Sequence, residues 1–534
     1  MRINYFLKKN KFFSIISIAF FVWLIFLTIL SIISQRNVLF YDVLAQEDIS
    51  SEFSSKLPAQ RYFIEPFYAI AYVLEFEFTW MFLFLMFYPI VRGIYLYLKK
   101  RGLLNSNKYQ SISYPLVDIL YFSFKIFMSI LLIIGLSMLI GYLILGFYFV
   151  SRYFMVPVQI GIHAGLILIF IKVGYTLLKL FHPKLKLNLI KKFSKPRKNK
   201  SVRRQSLKRE IVFYISIGAL LLSANIILIS TPFPSHEIIP TIPLEEDEFL
   251  FDFHVHTIMS DGWLTIEERI NWYIQQGISG AAFSDHDNIR GARIAQKYVD
   301  EQGLDFIVFM AEEWTDNDLD IHINYFGLAE EIVSPMSDNP FTLVMNASDM
   351  IEYVKSKGGY VIVNHYNYDP NPNGGYGVPY TLDQLRGWGV DGFEIVNGDS
   401  YGSKYQHIRN YCLDYNLTCI GGSDIHTCED LNTFIKLKLE DPTNLTISNI
   451  FETLKKNTHQ VIAIRLNPKT VDFSGDLNDI GFYVLQDFIN YILNINVYQT
   501  LSWIIWSVLI YLIFYIAYRK IKRVDLELLK YKIF

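Results

Sequence analysis

Asp252-Phe253-His254-Val255-His256-Thr257, followed by Ser260-Asp261-Gly262, is the stretch from which the fold of this 534-residue chain is read. The apolar run 249–253 leads into two histidines one residue apart. In an extended strand residues i and i+2 point the same way, so His254 and His256 reach one metal ion from one face of a strand end. Neutral imidazole is the commonest nitrogen ligand for zinc and related metals. Of the 11 histidines, seven lie between residues 254 and 426. They accompany further motifs: Ser284-Asp285-His286-Asp287, Ala311-Glu312-Glu313, Ile321-His322, Asn364-His365 and Gly422-Ser423-Asp424-Ile425-His426.

Short apolar runs alternate with helical patterns around these motifs. Phe249–Val255, Gly280–Ser284, Phe306–Met310, Tyr360–Val363, Gly392–Val396, Thr418–Gly421 and Gln460–Ile464 read as strands. Thr265-Ile266-Glu267-Glu268 is a capping box opening a helix that stops at Gly277. Helices are expected at Ala292–Gln302 (stopped by Gly303), Ser348–Lys357, Lys404–Tyr415 and Ile447–Lys455. Strand–helix alternation implies an α/β fold with a parallel sheet, and about seven units suggest a distorted (β/α)7 TIM-like barrel over 249–466. The motif residues fall just after strands, on one rim, where such barrels build active sites. His322 is the exception, in an expected hairpin after Glu313.

Outward from this domain the chain is apolar: 52% of residues are hydrophobic and 16% aromatic. Apolar stretches long enough to cross a bilayer core of about 30 Å are expected as transmembrane helices at about 12–33, 70–97, 126–150, 157–181 and 211–230. A sixth follows at 501–518, with a connector over 467–500. Glu75 and Glu77 open the second span and are read as lying at its outer interface. The net charge of −2 conceals segregation: twelve Lys or Arg and no acid lie between Lys184 and Arg209, whereas the 231–248 linker carries Glu245, Glu246, Asp247 and Glu248. Basic residues also mark the N-terminus, Lys99–Arg101 and the 519–534 tail. The positive-inside rule then expects a multi-pass cell-membrane protein with cytoplasmic termini and an extracytoplasmic barrel. That rule accounts for the basic loop, and no nucleic-acid partner is expected. Sequons at Asn346, Asn416 and Asn444 permit glycosylation. Three cysteines, Cys412, Cys419 and Cys428, form no disulfide framework and are expected mostly as small buried apolar residues.

The ordered set His-x-His, Ser-Asp-Gly, Ser-Asp-His-Asp, Glu, His, Asn-His and Gly-Ser-Asp-x-His resembles the PHP (polymerase and histidinol phosphatase) family over about 249–466. The resemblance implies a distorted seven-stranded barrel holding two or three divalent metal ions, and usually phosphoesterase activity. It implies that His254, His256 and Asp424 bind a first metal, that Glu313 bridges to a second completed by His322 and His365, and that Asp261, His286 and His426 hold a third. Three departures stand out. Ala311 replaces the usual Gly, Glu312 competes with Glu313 (the spacing favours Glu313), and Tyr366 follows Asn364-His365 where Pro is usual. The Glu312-Glu313-Trp314-Thr315 run resembles the branch with carbamate-hydrolysing members more than the polymerase-linked one.

The expected chemistry is hydrolysis of a phosphomonoester or phosphodiester by a metal-bridging hydroxide. Asp287 and Asp285 are candidates to orient water or a ligand imidazole, and Arg290, Asn397, Lys404 and Arg409 to contact a phosphate. Histidine with carboxylate suits zinc, manganese or iron. The expected partners are the lipid bilayer and a phosphoester that is a small molecule, a lipid headgroup or a surface polymer. Hydrolysis of an amide, carbamate or ester is the alternative chemistry. A non-catalytic, membrane-tethered binding module is the alternative class.

Overall fold

The polar stretch 34–66 carries structure of its own. After helix α1 (Lys11–Ile33) it forms the short strands β1 (Leu39–Asp42), β2 (Glu47–Asp48) and β3 (Phe53–Lys56), then enters helix α2 (Ala59–Leu74). The computed structural model describes residues 11–33, 38–74, 233–337, 342–368, 377–398, 403–465, 471, 473 and 483–530, with single positions between 122 and 227. Those single positions are helical. The expected spans at 126–150, 157–181 and 211–230 lie largely outside the described residues, as do most of 70–97, Glu75, Glu77 and the basic stretch 184–209.

Past the acidic linker the chain builds a mixed α/β body. β4 (Glu237–Pro240) pairs antiparallel with β3. β5 (Glu248–Val255), α3 (Ile266–Gln275), β6 (Gly280–Phe283), α4 (Arg290–Gln302) and β7 (Ile307–Asp316) follow, with β5, β6 and β7 parallel. The sequence signals act where expected. Thr265 accepts from the Glu268 amide in a reciprocal capping box, and Gly303 ends α4 in the left-handed conformation at φ 60°.

β8 (Ile321–Phe326) interrupts the parallel order by pairing antiparallel with β7, forming the hairpin expected after Glu313. The reason is local. Asp316 Oδ1 accepts from the amides of Asp318 and Leu319, closing a turn too short for a crossover helix. After β9 (Ile332–Val333), β10 (Leu343–Val344) and α5 (Ala347–Ser356), β11 (Tyr360–Val363) pairs antiparallel with β8. α6 (Leu382–Trp388), β12 (Gly392–Asn397), α7 (Ser403–Asp414) and β13 (Thr418–Gly422) complete the circuit, β11, β12 and β13 being parallel. The residues after β13 return to β5: Val255 bridges Ile425, and the Asp424 amide donates to the His254 carbonyl at 2.9 Å. Seven strands thus form a ring with one reversed member.

The other half of β5 takes a different partner. β14 (Thr433–Lys438) pairs antiparallel with residues 248–251, and β15 (Gln460–Arg465), reached through α8 (Ile447–Leu454), pairs antiparallel with β14. β15 is therefore no further parallel unit of the ring. It continues an eleven-stranded sheet that ends in β1 and β2. The N-terminal arm is thus part of the same body: Leu39–Asp42 lie antiparallel to Ile462–Arg465. The core packs Phe251, Phe253, Phe309 and Phe326 inside the sheet, with Phe253 and Phe309 stacked at 5.4 Å. Cys412, Cys419 and Cys428 are all free and buried.

The last elements are α9 (Tyr483–Leu493) and α10 (Val497–Lys530). Among the described residues one helix, Val497–Ile516, is long and apolar enough to cross a membrane by length and composition, and Ile16–Ile32 is a shorter apolar helix. Of the six expected spans, the one at 501–518 is thus matched by a candidate span and the one at 12–33 by a shorter apolar helix, the other four falling largely outside the described residues. α1 and α10 run antiparallel, because Ser17 meets Tyr511 (2.7 Å between hydroxyls) while Trp23 Nε1 donates to Ser507 at 3.0 Å.

Candidate metal centre

Strand exits bring distant motifs to one rim of the ring. His254 and His256 close β5, His286 follows β6, Glu313 lies in β7, His365 follows β11, and Asp424 and His426 follow β13. His322 joins them because β8 is reversed, so its first residues share the rim where the parallel strands end. Asp287, His365 and Asp424 hold positive φ of 47°, 25° and 49°, an uncommon backbone state for such residues that turns each strand exit sharply.

Nine polar side chains converge there. His254 Nε2 and His256 Nε2 lie 3.1 Å apart. Each is 3.3 Å from a Glu313 oxygen, and they are 3.4 and 3.1 Å from Asp424 Oδ1. A tetrahedral ion with ligand bonds of about 2.0–2.1 Å needs donor atoms about 3.3–3.4 Å apart, so these spacings fit one ion at their centre. Across Glu313 stands a second group: His322 Nδ1 at 3.2 Å and His365 Nε2 at 3.5 Å from Oε1, with His286 Nδ1 at 3.0 Å from Oε2. Asp261 centres a third, with His286 Nε2 at 3.5 Å, His426 Nε2 at 3.2 Å and His256 Nδ1 at 3.6 Å. Buried Glu313 Oε2 accepts no hydrogen bond in spite of these neighbours. Such an atom is costly in a protein interior unless a cation satisfies it. The donor set therefore fits divalent metal ions.

Charge and burial are balanced to the same end. Burial opposes ionising Glu313 and Asp424, yet the surrounding histidines hold both carboxyls well below the usual range. Burial likewise opposes charging His426, but Asp261 and Asp424 push it up to about 9. Burial and the nearby His426 and His286 bring His256 down to about 4, leaving it neutral, as a metal ligand must be.

The structure adds one residue that the motifs missed, Glu394, and gives roles to Asn364 and Gly422 within them. Glu394, wholly buried in β12, accepts from His254 Nδ1 at 2.8 Å, fixing the tautomer whose Nε2 faces the cluster. Its other oxygen accepts from the His365 amide at 2.9 Å and from Asn397 at 3.1 Å. The signal for it was a lone acid inside the apolar run Gly392-Phe393-Glu394-Ile395-Val396. Asn364 Nδ2 donates to Glu313 Oε1 at 2.7 Å. Gly422 is required for close packing, since a Cβ there would lie 2.3 Å from His254 Cβ and 2.6 Å from Glu394 Oε1. Strand alternation separates the two glutamates: Glu313 faces the cluster, whereas Glu312 faces away and accepts from the Ile332 amide at 3.2 Å.

The remaining candidates divide. Asn397 lies in the cluster, with Nδ2 3.1 Å from Asp424 Oδ2. Asp285 is turned to the loop after β5, accepting from the Thr257 amide (2.7 Å) and Ser260 Oγ (2.9 Å). Asp287 accepts from the Thr315 amide at 3.1 Å, and Thr315 Oγ1 lies 2.6 Å from His286 Nδ1, so Asp287 braces that imidazole through Thr315. Arg290 faces Glu331 at 3.5 Å. Arg409 binds the Leu44 carbonyl through Nε (2.8 Å) and Nη2, which spends it on holding the N-terminal arm. Lys404 begins helix α7, and its side chain lies outside the described residues.

A scan against protein-family models and a search of curated proteins found no match. Among solved structures, the chain is similar to a two-domain protein from Bacteroides vulgatus containing a predicted PHP-like metal-dependent phosphoesterase, at 20% identity over 43% of this chain and 69% of that one, with a TM-score of 0.34. It is also similar to a protein of Bifidobacterium adolescentis described as a candidate metal-dependent phosphoesterase (18% identity, 37% and 96% covered, TM-score 0.28). An amidohydrolase from Chromobacterium violaceum matches at 16% identity over 33% and 87%, with a TM-score of 0.24.

Proposed function

We propose that this chain is a membrane-anchored, metal-dependent phosphoesterase that hydrolyses a phosphomonoester or phosphodiester. The observation that carries the reading is the shared Glu313, which belongs to both groups spaced for a metal ion, with His254 and His322 at Oε1 and His256 and His286 at Oε2. Divalent ions so held would acidify a water and neutralise the phosphoryl oxygens. The protein's own residues do the positioning. Glu394 and Asn397 orient His254 and Asp424, Asp287 braces His286 through Thr315, and Asn364 holds Glu313. Asp261, His365 and His426 leave the mouth open, with 49%, 28% and 29% of their side chains exposed. Zinc, manganese and iron suit this donor set.

The anchor is proposed as multi-pass, with the barrel extracytoplasmic and both termini cytoplasmic. The antiparallel pairing of α1 with α10 supports a common side for the start of α1 and the end of α10, and the positive-inside rule supports the cytoplasm as that side. The test is metal content by plasma spectrometry on the full-length protein in detergent, beside hydrolysis of p-nitrophenyl phosphate and bis-p-nitrophenyl phosphate, with His254→Ala as control. Two or three metals per chain and activity lost in the variant are expected. Metal without phosphoester hydrolysis would move the reading to amide, carbamate or ester substrates, and a folded, metal-free protein would leave a tethered binding module.

A further inference from the structure

A buried polar chain joins the helices to Asp430, in the segment that follows the metal-centre residue His426. Val497–Ile516 is 20 residues long, which at 1.5 Å per residue is about the 30 Å of a hydrocarbon core, so its barrel-side boundary falls near Val497. Gln499 Nε2, two residues inside, donates to Glu65 Oε1 of α2, and Tyr491 Oη donates to the same oxygen at 2.8 Å. Glu65 is therefore level with the first turn of the span. One turn further out, about 6 Å along α2, Arg61 Nε donates to Glu65 Oε2 at 3.0 Å. Arg61 Nη2 in turn meets Asp430 Oδ2 at 2.8 Å, with both side chains 5% exposed or less.

The exposed surface changes character at the same level. Phe63, Val497, Tyr498 and Leu501 are 65%, 54%, 59% and 50% exposed, an apolar belt facing outward. Tyr62 packs on Tyr498, and Phe67 packs on Trp506. Aromatic rings of this kind collect where hydrocarbon meets headgroup. Asp430 then sits in the headgroup layer, which occupies roughly 5–8 Å on each side of the core. Asp430 is four residues from His426, so at most about 14 Å of extended chain separates the interface from the metal centre.

From this placement we infer that the substrate is a phosphodiester in the headgroup of a membrane glycerophospholipid. The inference rests on the phosphoesterase reading above and commits its open centre to a substrate presented by the bilayer. In the reaction water adds its oxygen to phosphorus and the phosphorus–oxygen bond to one ester alcohol breaks. That alcohol leaves with one proton of the water, and the second proton goes to solvent. No oxidant or further reactant is needed.

The test uses the full-length protein reconstituted into vesicles of phosphatidylcholine, phosphatidylethanolamine, phosphatidylglycerol and phosphatidylinositol. Lipid products are followed by phosphorus NMR and mass spectrometry, and the same four headgroups are offered as deacylated glycerophosphodiesters at matched bulk concentration. Bis-p-nitrophenyl phosphate reports the centre itself, and His254→Ala controls for contamination. Turnover of at least one vesicle lipid about tenfold faster than its deacylated counterpart is expected. Hydrolysis of bis-p-nitrophenyl phosphate with no lipid turnover, or with equal turnover of the soluble diesters, overturns the lipid assignment alone. Loss of every activity overturns the phosphoesterase reading and this one with it.

Discussion

Glu394→Gln probes the site at the residue that no motif announced. The glutamate uses two oxygens to receive three donors: His254 Nδ1, the His365 amide and Asn397 Nδ2. Glutamine keeps the volume but offers one acceptor oxygen, and its NH2 would face a donor. If the NH2 faces His254, the imidazole proton is driven to Nε2, the atom 3.1–3.4 Å from its fellow ligands. If the oxygen faces His254, the His365 amide loses its partner in the interior. Losing such a partner weakens metal affinity by about 10–100-fold, or about 1.4–2.8 kcal/mol. The assay titrates metal-free protein with zinc against a chromophoric chelator, with circular dichroism to show that the fold is retained. Zinc affinity within about twofold of the parent in a folded variant would refute the orienting role.

Three further outcomes follow from the geometry. Gly422→Ala places a Cβ against His254 and Glu394 and should cost about 1–3 kcal/mol together with metal affinity; an unchanged unfolding midpoint would contradict the packing described. Arg61→Ala leaves Asp430 and Glu65 buried without their cation and should destabilise the protein by about 3–5 kcal/mol, measured by unfolding in detergent. Burial opposes the Asp430 charge but Arg61 outweighs it, so its carboxyl stays well below the usual range. With a depressed native value, that stabilisation is complete above about pH 4 and fades as the pH falls further; the variant should lose this acid dependence, and a parent insensitive to acid would count against the pair. His426, pushed up to about 9 in the metal-free state, must lose a proton to bind, so affinity at the Asp261 group should rise with pH until about 9, and a flat profile would remove His426 from that group.

Local physics made much of this legible in the sequence. Alternation in a strand put His254 beside His256, the Thr265 capping box and Gly303 bounded two helices, and the apolar run read at 501–518 lies within four residues of the span at Val497–Ile516. Each of these depends on neighbours a few residues away. The choice between Glu312 and Glu313 did not, because both are buried and only the position of β8 and of the ring interior shows which faces the histidines. Glu394 was hidden for a related reason: it serves His254 from 140 residues away.

Arg409 read as a phosphate ligand because a free cation in sequence has no visible partner. In the fold the Leu44 carbonyl is that partner. The same holds for β1, which looked like part of a polar connection until β15 offered it an edge to pair with. The sequence by itself determined the ligand types, their order and the turns that aim them, since these follow from backbone periodicity and side-chain chemistry. Which polar group meets which, and how near the metal centre stands to the helices, was decided only by ring closure and by the Arg61–Asp430 contact. Burial makes each unpaired group costly, and only the assembled fold can supply its partner.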